Sequence, residues 1–272
     1  MMMIRCLFTL AVQAGLLVAF SGCDRHEPKI VFRSPDGRTL TAKDLQGATG
    51  TFRYEIVGSQ DLSPEAQQLH EQAREAGSAG DLSKALALLQ QASSLAPQWP
   101  YPVYDQAYTC LLMKDADNAR KWYQKTVEMS PRGFFTALTA LDTLNREHEG
   151  TLPQGTYLAF LSLEWTDDAE KRAKIARELT HRVPEFAPAW QQLSSLVEDD
   201  TEKLALLKKG LAARPDAETK GMLEINKALI LDRQGDHEGA VRLLGQLALD
   251  PQSTFATEHM AKVTLAEFLK NR

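Results

Sequence analysis

Few residues of this 272-residue chain stand at spacings that do chemistry. The three cysteines, Cys6, Cys23 and Cys110, are too few for a disulfide framework. The histidines, His26, His70, His148, His181, His237 and His259, are scattered. None stands four residues from another, the spacing that places two ligands on one helix face. Glu147-His148-Glu149 groups metal-ligating types, but in a polar stretch it reads as a solvated charged loop. Asp167-Asp168 and Asp199-Asp200 read as helix boundaries, where carboxylates cap exposed amides. No G-x-S-x-G, Walker A or G-x-G-x-x-G pattern occurs. The expectation is therefore no catalytic residue, no metal and no cofactor. Recognition chemistry is left. Tyr101, Tyr104, Tyr108 and Leu112 share one helical face, apart from Val103, Ala107 and Cys110. Tyrosine suits binding because a rigid apolar ring carries one polar handle at low entropic cost. Met222, Ile225 and Leu229 take a comparable face further on. These seven residues are the candidate protein-binding positions, with the alternative that another part of the chain fills both faces.

Cys23 is set apart by what precedes it. Arg5 is followed by an uncharged run, Cys6 to Phe20. As a helix at about 1.5 Å per residue this run reaches roughly 22 Å, short of a roughly 30 Å hydrocarbon core. Those proportions fit a secretory signal peptide over residues 1–22. Phe20-Ser21-Gly22-Cys23 resembles a bacterial lipobox, although leucine is the usual residue where Phe20 stands. The resemblance implies cleavage before Cys23, lipidation of Cys23 and a location in the cell envelope on the periplasmic side. Asp24 resembles the signal that retains such lipoproteins in the inner membrane. Ala19-Phe20-Ser21 also fits ordinary signal cleavage, which would release a soluble periplasmic protein.

Net charge is −5, and removing residues 1–22, whose only charge is Arg5, leaves −6. With no Lys/Arg-rich run, the chain lacks the basic patch that nucleic acid requires, and no nucleic-acid partner is expected. Apolar residues at 43% and charged residues at 25% are those of a chain with an ordinary folded core.

The elements that must position these residues follow a period. Ala73 is matched by Ala107, Gly80-Asp81 by Lys114-Asp115, Ala85 by Ala119, Leu89 by Tyr123, Ala92 by Thr126 and Pro97 by Pro131, each offset by 34 residues. This pattern resembles the tetratricopeptide repeat, a helix–turn–helix unit that stacks into a solenoid. The resemblance covers Pro64 to Pro251 and implies an all-α fold of about five helix pairs. Helices are expected near Pro64–Ala79, Leu82–Leu95, Tyr101–Met113 and Ala116–Met129. The register then loosens, with a helix over Phe134–Arg146 and a loop to Gln154 forming an insertion at 134–154. Gly155–Trp165 and Asp168–Arg182 read as a degenerate pair, and Trp190 and Glu202–Ala213 belong to a shortened unit. Ala228, Gly235-Asp236, Ala240, Leu244 and Pro251 restore the spacing, and residues 254–270 read as a capping helix. Upstream, residues 23–60 form a lipidated tether and a small β-rich segment with strands at Lys29–Ser34 and Thr51–Val57. The solenoid is assigned to 61–272.

In this family the first helix of each pair lines a concave groove, so the resemblance implies that the tyrosine face looks into it. The function implied is a membrane-anchored scaffold for a protein or peptide partner in the envelope. The alternatives are a self-assembling envelope protein and, with no segment long enough for a catalytic domain, the substrate arm of an envelope hydrolase.

Overall fold

The computed structural model describes residues 8–9, 29–33, 51–57 and 62–270. The fold is all-α and tetratricopeptide-like, built of successive helix pairs, with a short N-terminal β segment. Cys23, Asp24 and the rest of the leader and tether lie outside the described residues. Two compact units divide the chain. Of the described residues, the first unit holds 62–158 and the second holds the strands and 159–270.

Helices begin where a short polar side chain takes up amides that the first turn leaves unbonded. In the first unit, Ser63 caps α1 (Pro64–Ser78) and Asp81 caps α2 (Leu82–Leu95). Then α3 (Pro100–Leu112) starts at a proline, whose missing N–H is harmless there, and Asp115 caps α4 (Ala116–Met129). The turns within both pairs use a left-handed residue, Gly80 at φ 84° and Lys114 at φ 63°. Glycine occupies that region freely, whereas lysine is strained in it. Between the paired helices lie small residues, with Ala66, Ala92, Ala107 and Ala119 all fully buried. Leu89 and Tyr123 fill the space beside them, as the 34-residue pairing predicts.

The register departs from expectation after Pro131. Rather than starting at Phe134, α5 spans Ala137–His148. Gly133 at φ 95° and Phe135 at φ 50° are incompatible with helix, so its first turn is unwound. The helix expected over Gly155–Trp165 is shorter: α6 spans only Thr156–Leu161. Beyond it the amides of Leu163 and Glu164 reach back three residues, to Phe160 and Leu161, so the chain tightens out of α geometry.

In the second unit α7 (Ala169–Arg182) and α9 (Asp200–Ala212) are capped by Asp168 and Asp199, the acidic pairs read as helix boundaries. Between them α8 spans Ala187–Leu196, starting three residues ahead of Trp190. Asp216 caps α10 (Ala217–Arg233) and Asp236 caps α11 (His237–Leu249). The last helix, α12 (Phe255–Lys270), packs on both α10 and α11. Met260 and Phe268 enter the core beside Met222, Ile225 and Leu244, and Val263 lies against it. The approach of α10 to α12 is tight: a Cβ on Gly221 would collide with the Thr257 side chain. Arg233 joins α10 to α9 through a two-pronged bond to Asp200, at 2.8 and 2.7 Å.

The strands are β1 (Phe8–Thr9), β2 (Lys29–Arg33) and β3 (Thr51–Val57), in the order β1-β3-β2. Both pairings are antiparallel, and in the second Lys29 stands opposite Val57 and Arg33 opposite Arg53. The hairpin of β2 and β3 follows the alternation in the sequence. The pairing of Phe8–Thr9 with β3 was not anticipated from a run read as a leader. Among the described residues no helix is long and apolar enough to cross a membrane.

Two substitutions test this packing. Lys114→Gly should raise stability by about 1 kcal/mol by relieving the left-handed strain, read as a higher denaturation midpoint. Gly221→Ala should lower it by about 1–3 kcal/mol, because the added methyl forces α10 from α12; an unchanged midpoint would mean that the two helices separate freely.

Candidate functional site

The first unit gathers its aromatic side chains where α1, the turn before α3, and the unwound start of α5 meet. The Tyr101 ring is the hub, with centroids of Phe134 at 4.9 Å, Phe135 at 5.4 Å, and Trp99 and His70 each at 6.1 Å. His70 meets Trp99 nearly edge-on at 4.8 Å. Most of these contacts are T-shaped, the arrangement that sets a ring's positive edge on its neighbour's negative face. From α1, His70 Nε2 also donates to Asp105 Oδ2 on α3 at 2.8 Å. His70 is buried, whereas Trp99, Tyr101, Asp105 and Phe135 are half-buried and reach solvent.

The expected tyrosine face is divided by burial. Tyr101 and Leu112 keep partial exposure. Tyr104 and Tyr108 do not: they are 3% and 6% exposed, so neither lines an open groove. For Tyr104 the cause is the segment Phe134–Thr136. Its ring lies 5.8 Å from Phe134 and 5.4 Å from Phe135, and its hydroxyl is 2.8 Å from Thr136 Oγ1. Tyr157 OH reaches the same Thr136 oxygen at 3.4 Å. The inserted stretch therefore fills this face from within, the alternative that the sequence left open. The second face is corrected outright. Met222, Ile225 and Leu229 are buried in the core formed with α11 and α12, because the last helix covers them.

Other sequence expectations are sorted by the same geometry. Glu147 is not solvated: it is buried, and its carboxylate accepts from the amides of Gly155 at 2.8 Å and Tyr157 at 2.7 Å. It thus caps α6 from the preceding helix. Cys110 is a buried core thiol, pushed up to about 11 mainly by burial and further by the Asp115 carboxylate, which makes it unreactive. Among the described residues no group of three or more His, Cys, Asp or Glu could hold a metal ion. The His70–Asp105 pair joins α1 to α3.

His70, Trp99, Asp105 and Phe135 were missed as members of one site. The signal was present in the period. Phe135 stands 34 residues after Tyr101 and Asp105 stands 35 after His70, so stacking consecutive pairs brings them together.

A scan against protein-family models finds no match, and a search of curated proteins finds none. Solved structures do align. MamA from Desulfovibrio magneticus RS-1 is 13% identical over 68% of this chain and 94% of its own, with a TM-score of 0.33. The tetratricopeptide repeat protein TTC0263 of Thermus thermophilus is 17% identical over 75% of this chain and 99% of its own, at 0.33. YrrB, described as a tetratricopeptide repeat protein with an unusual peptide-binding site, is 14% identical over 72% and 91%, at 0.31. At these scores the architecture rests on the helix pairs themselves.

The division of the tyrosines predicts unequal effects. Tyr104→Ala should cost about 3–5 kcal/mol and Tyr104→Phe about 1 kcal/mol, the latter for the lost hydroxyl bond. Tyr101→Ala should cost clearly less than Tyr104→Ala in the same denaturant titration; equal costs would place both rings in the core.

Proposed function

We propose that this chain is a membrane-anchored repeat scaffold that holds a protein or peptide partner in the bacterial cell envelope. Its recognition surface is the solvent-facing part of the aromatic cluster, formed by Trp99, Tyr101 and Phe135 with the Asp105 carboxylate beside them. The observation that carries this reading is that cluster. Three large rings keep solvent contact side by side, whereas Tyr104, Tyr108, Tyr123 and Tyr157 of the same unit are buried. Rigid rings next to a hydrogen-bond acceptor offer contact area and orientation at little entropic cost. The anchor is Cys23. Acylation at the lipobox-like Phe20–Cys23 would hold the scaffold at the periplasmic face, and Asp24 favours the inner membrane.

Two measurements test this reading. A photo-crosslinking amino acid at Tyr101 should form a discrete adduct in intact cells, while the same group at the exposed Lys84 on α2 should not. Equal labelling from both positions would remove the cluster as a binding surface. Cys23→Ala should abolish acyl labelling and release the protein from the membrane fraction; unchanged fractionation would remove the anchor.

A further inference from the structure

One carboxylate of the aromatic cluster is only half matched. Asp105 gives Oδ2 to the His70 imidazole at 2.8 Å, its side chain keeps 13% exposure, and no described residue bonds to its Oδ1. No lysine or arginine of the described residues pairs with it; Arg74, exposed one helical turn beyond His70, does not. A carboxylate so far withdrawn from water is costly to leave short of partners, and a cationic donor makes the strongest hydrogen bond to it. The neighbouring indole is short of a cation as well. Trp122 and Trp190 each hold a lysine of this chain over the ring, Lys125 at 5.4 Å and Lys209 at 5.0 Å. Trp99 holds none from the described residues, and the rings it meets, His70 and Tyr101, cross it at 67° and 47° rather than stack flat on it. His70 touches both Trp99 and Asp105, which sets the indole and the carboxylate beside one imidazole.

We propose that the protein partner presents a lysine or arginine side chain to this corner, its charge at Asp105 Oδ1 and its aliphatic stem along Trp99. One such side chain meets both needs together. Tryptophan attracts a cation more strongly than the other aromatic rings, and the attraction grows as water is withdrawn. Lysine and arginine also lay their stems on apolar surface while the charged head keeps a polar partner. An acidic segment would set like charge against Asp105, so the same carboxylate selects against it. His70 is the positioning residue, because its bond to Oδ2 fixes which carboxylate oxygen is left for a ligand. This inference rests on the reading of the cluster as a partner surface and adds the chemistry of what that surface holds.

The probes are end-capped tripeptides with glycine at both ends and lysine, arginine, norleucine or glutamate in the middle. They are titrated into the full chain labelled with fluorotryptophan, and the Trp99 fluorine signal is assigned through Trp99→Phe. The lysine and arginine peptides should move that signal saturably, with affinity about fivefold or more above the norleucine peptide. The glutamate peptide should leave it in place. Asp105→Asn, which keeps an acceptor for His70, should lose most of this preference, with helicity checked by circular dichroism. Equal affinity for the lysine and norleucine peptides overturns the inference, as does a preference unchanged in Asp105→Asn; the peptide comparison needs no variant. A signal that neither basic peptide moves up to about 20 mM also overturns it. So does n-butylammonium bound as tightly as the lysine peptide, by making a free ammonium the ligand. The crosslink from Tyr101 in cells separates the two readings. An adduct without any peptide preference leaves the scaffold standing and overturns the cation. A preference for the basic peptides without an adduct supports the cation and removes the cluster as the scaffold's surface in cells.

Discussion

The helix pairs depend on how closely two backbones can approach at an alanine. Ala73, Ala85, Ala107 and Ala119 are each 1% exposed or less, and the space they leave is taken by Leu89 and Tyr123. Any larger side chain at those points would separate the helices and open gaps beside the leucine and tyrosine, since interiors tolerate neither overpacking nor voids. The same constraint appears in the second unit, where Gly221 admits Thr257 and Ala228 and Ala240 lie fully buried between α10 and α11. Aspartate caps and left-handed turns then fix where each helix stops and the next begins.

That regularity made the fold legible in the sequence. Alanine spacing, terminal prolines and Gly-Asp turns repeat because each solves the same local problem once per pair. The boundaries of α2 and α4 follow from those residues alone, and both are capped by the aspartates at the repeated turn. The start of α5 was not legible. Nothing in Gly133-Phe134-Phe135 announces that Phe135 will take a left-handed conformation, which is settled by the rings it meets.

The candidate site was legible only in part, for a related reason. Helical periodicity places Tyr101, Tyr104 and Tyr108 on one side of α3, but it does not say what covers that side. Burial is a property of neighbours distant in sequence. Phe134–Thr136 covers Tyr104, and α12 covers Met222 and Ile225. His70 and Asp105 illustrate the converse. Each looks ordinary on its own helix, and they become a pair only when two repeats are stacked.

Phe135 brings two demands into conflict at one residue. Its backbone sits at φ 50°, where glycine or asparagine would be relaxed, while its half-buried ring rests on both Tyr101 and Tyr104. Selection for stability alone has a route at this position that selection for the aromatic surface closes. In a population of drifting sequences, position 135 would therefore act as a gauge. Aromatics would persist there while the cluster has something to hold, and relaxed backbones would take over once it does not.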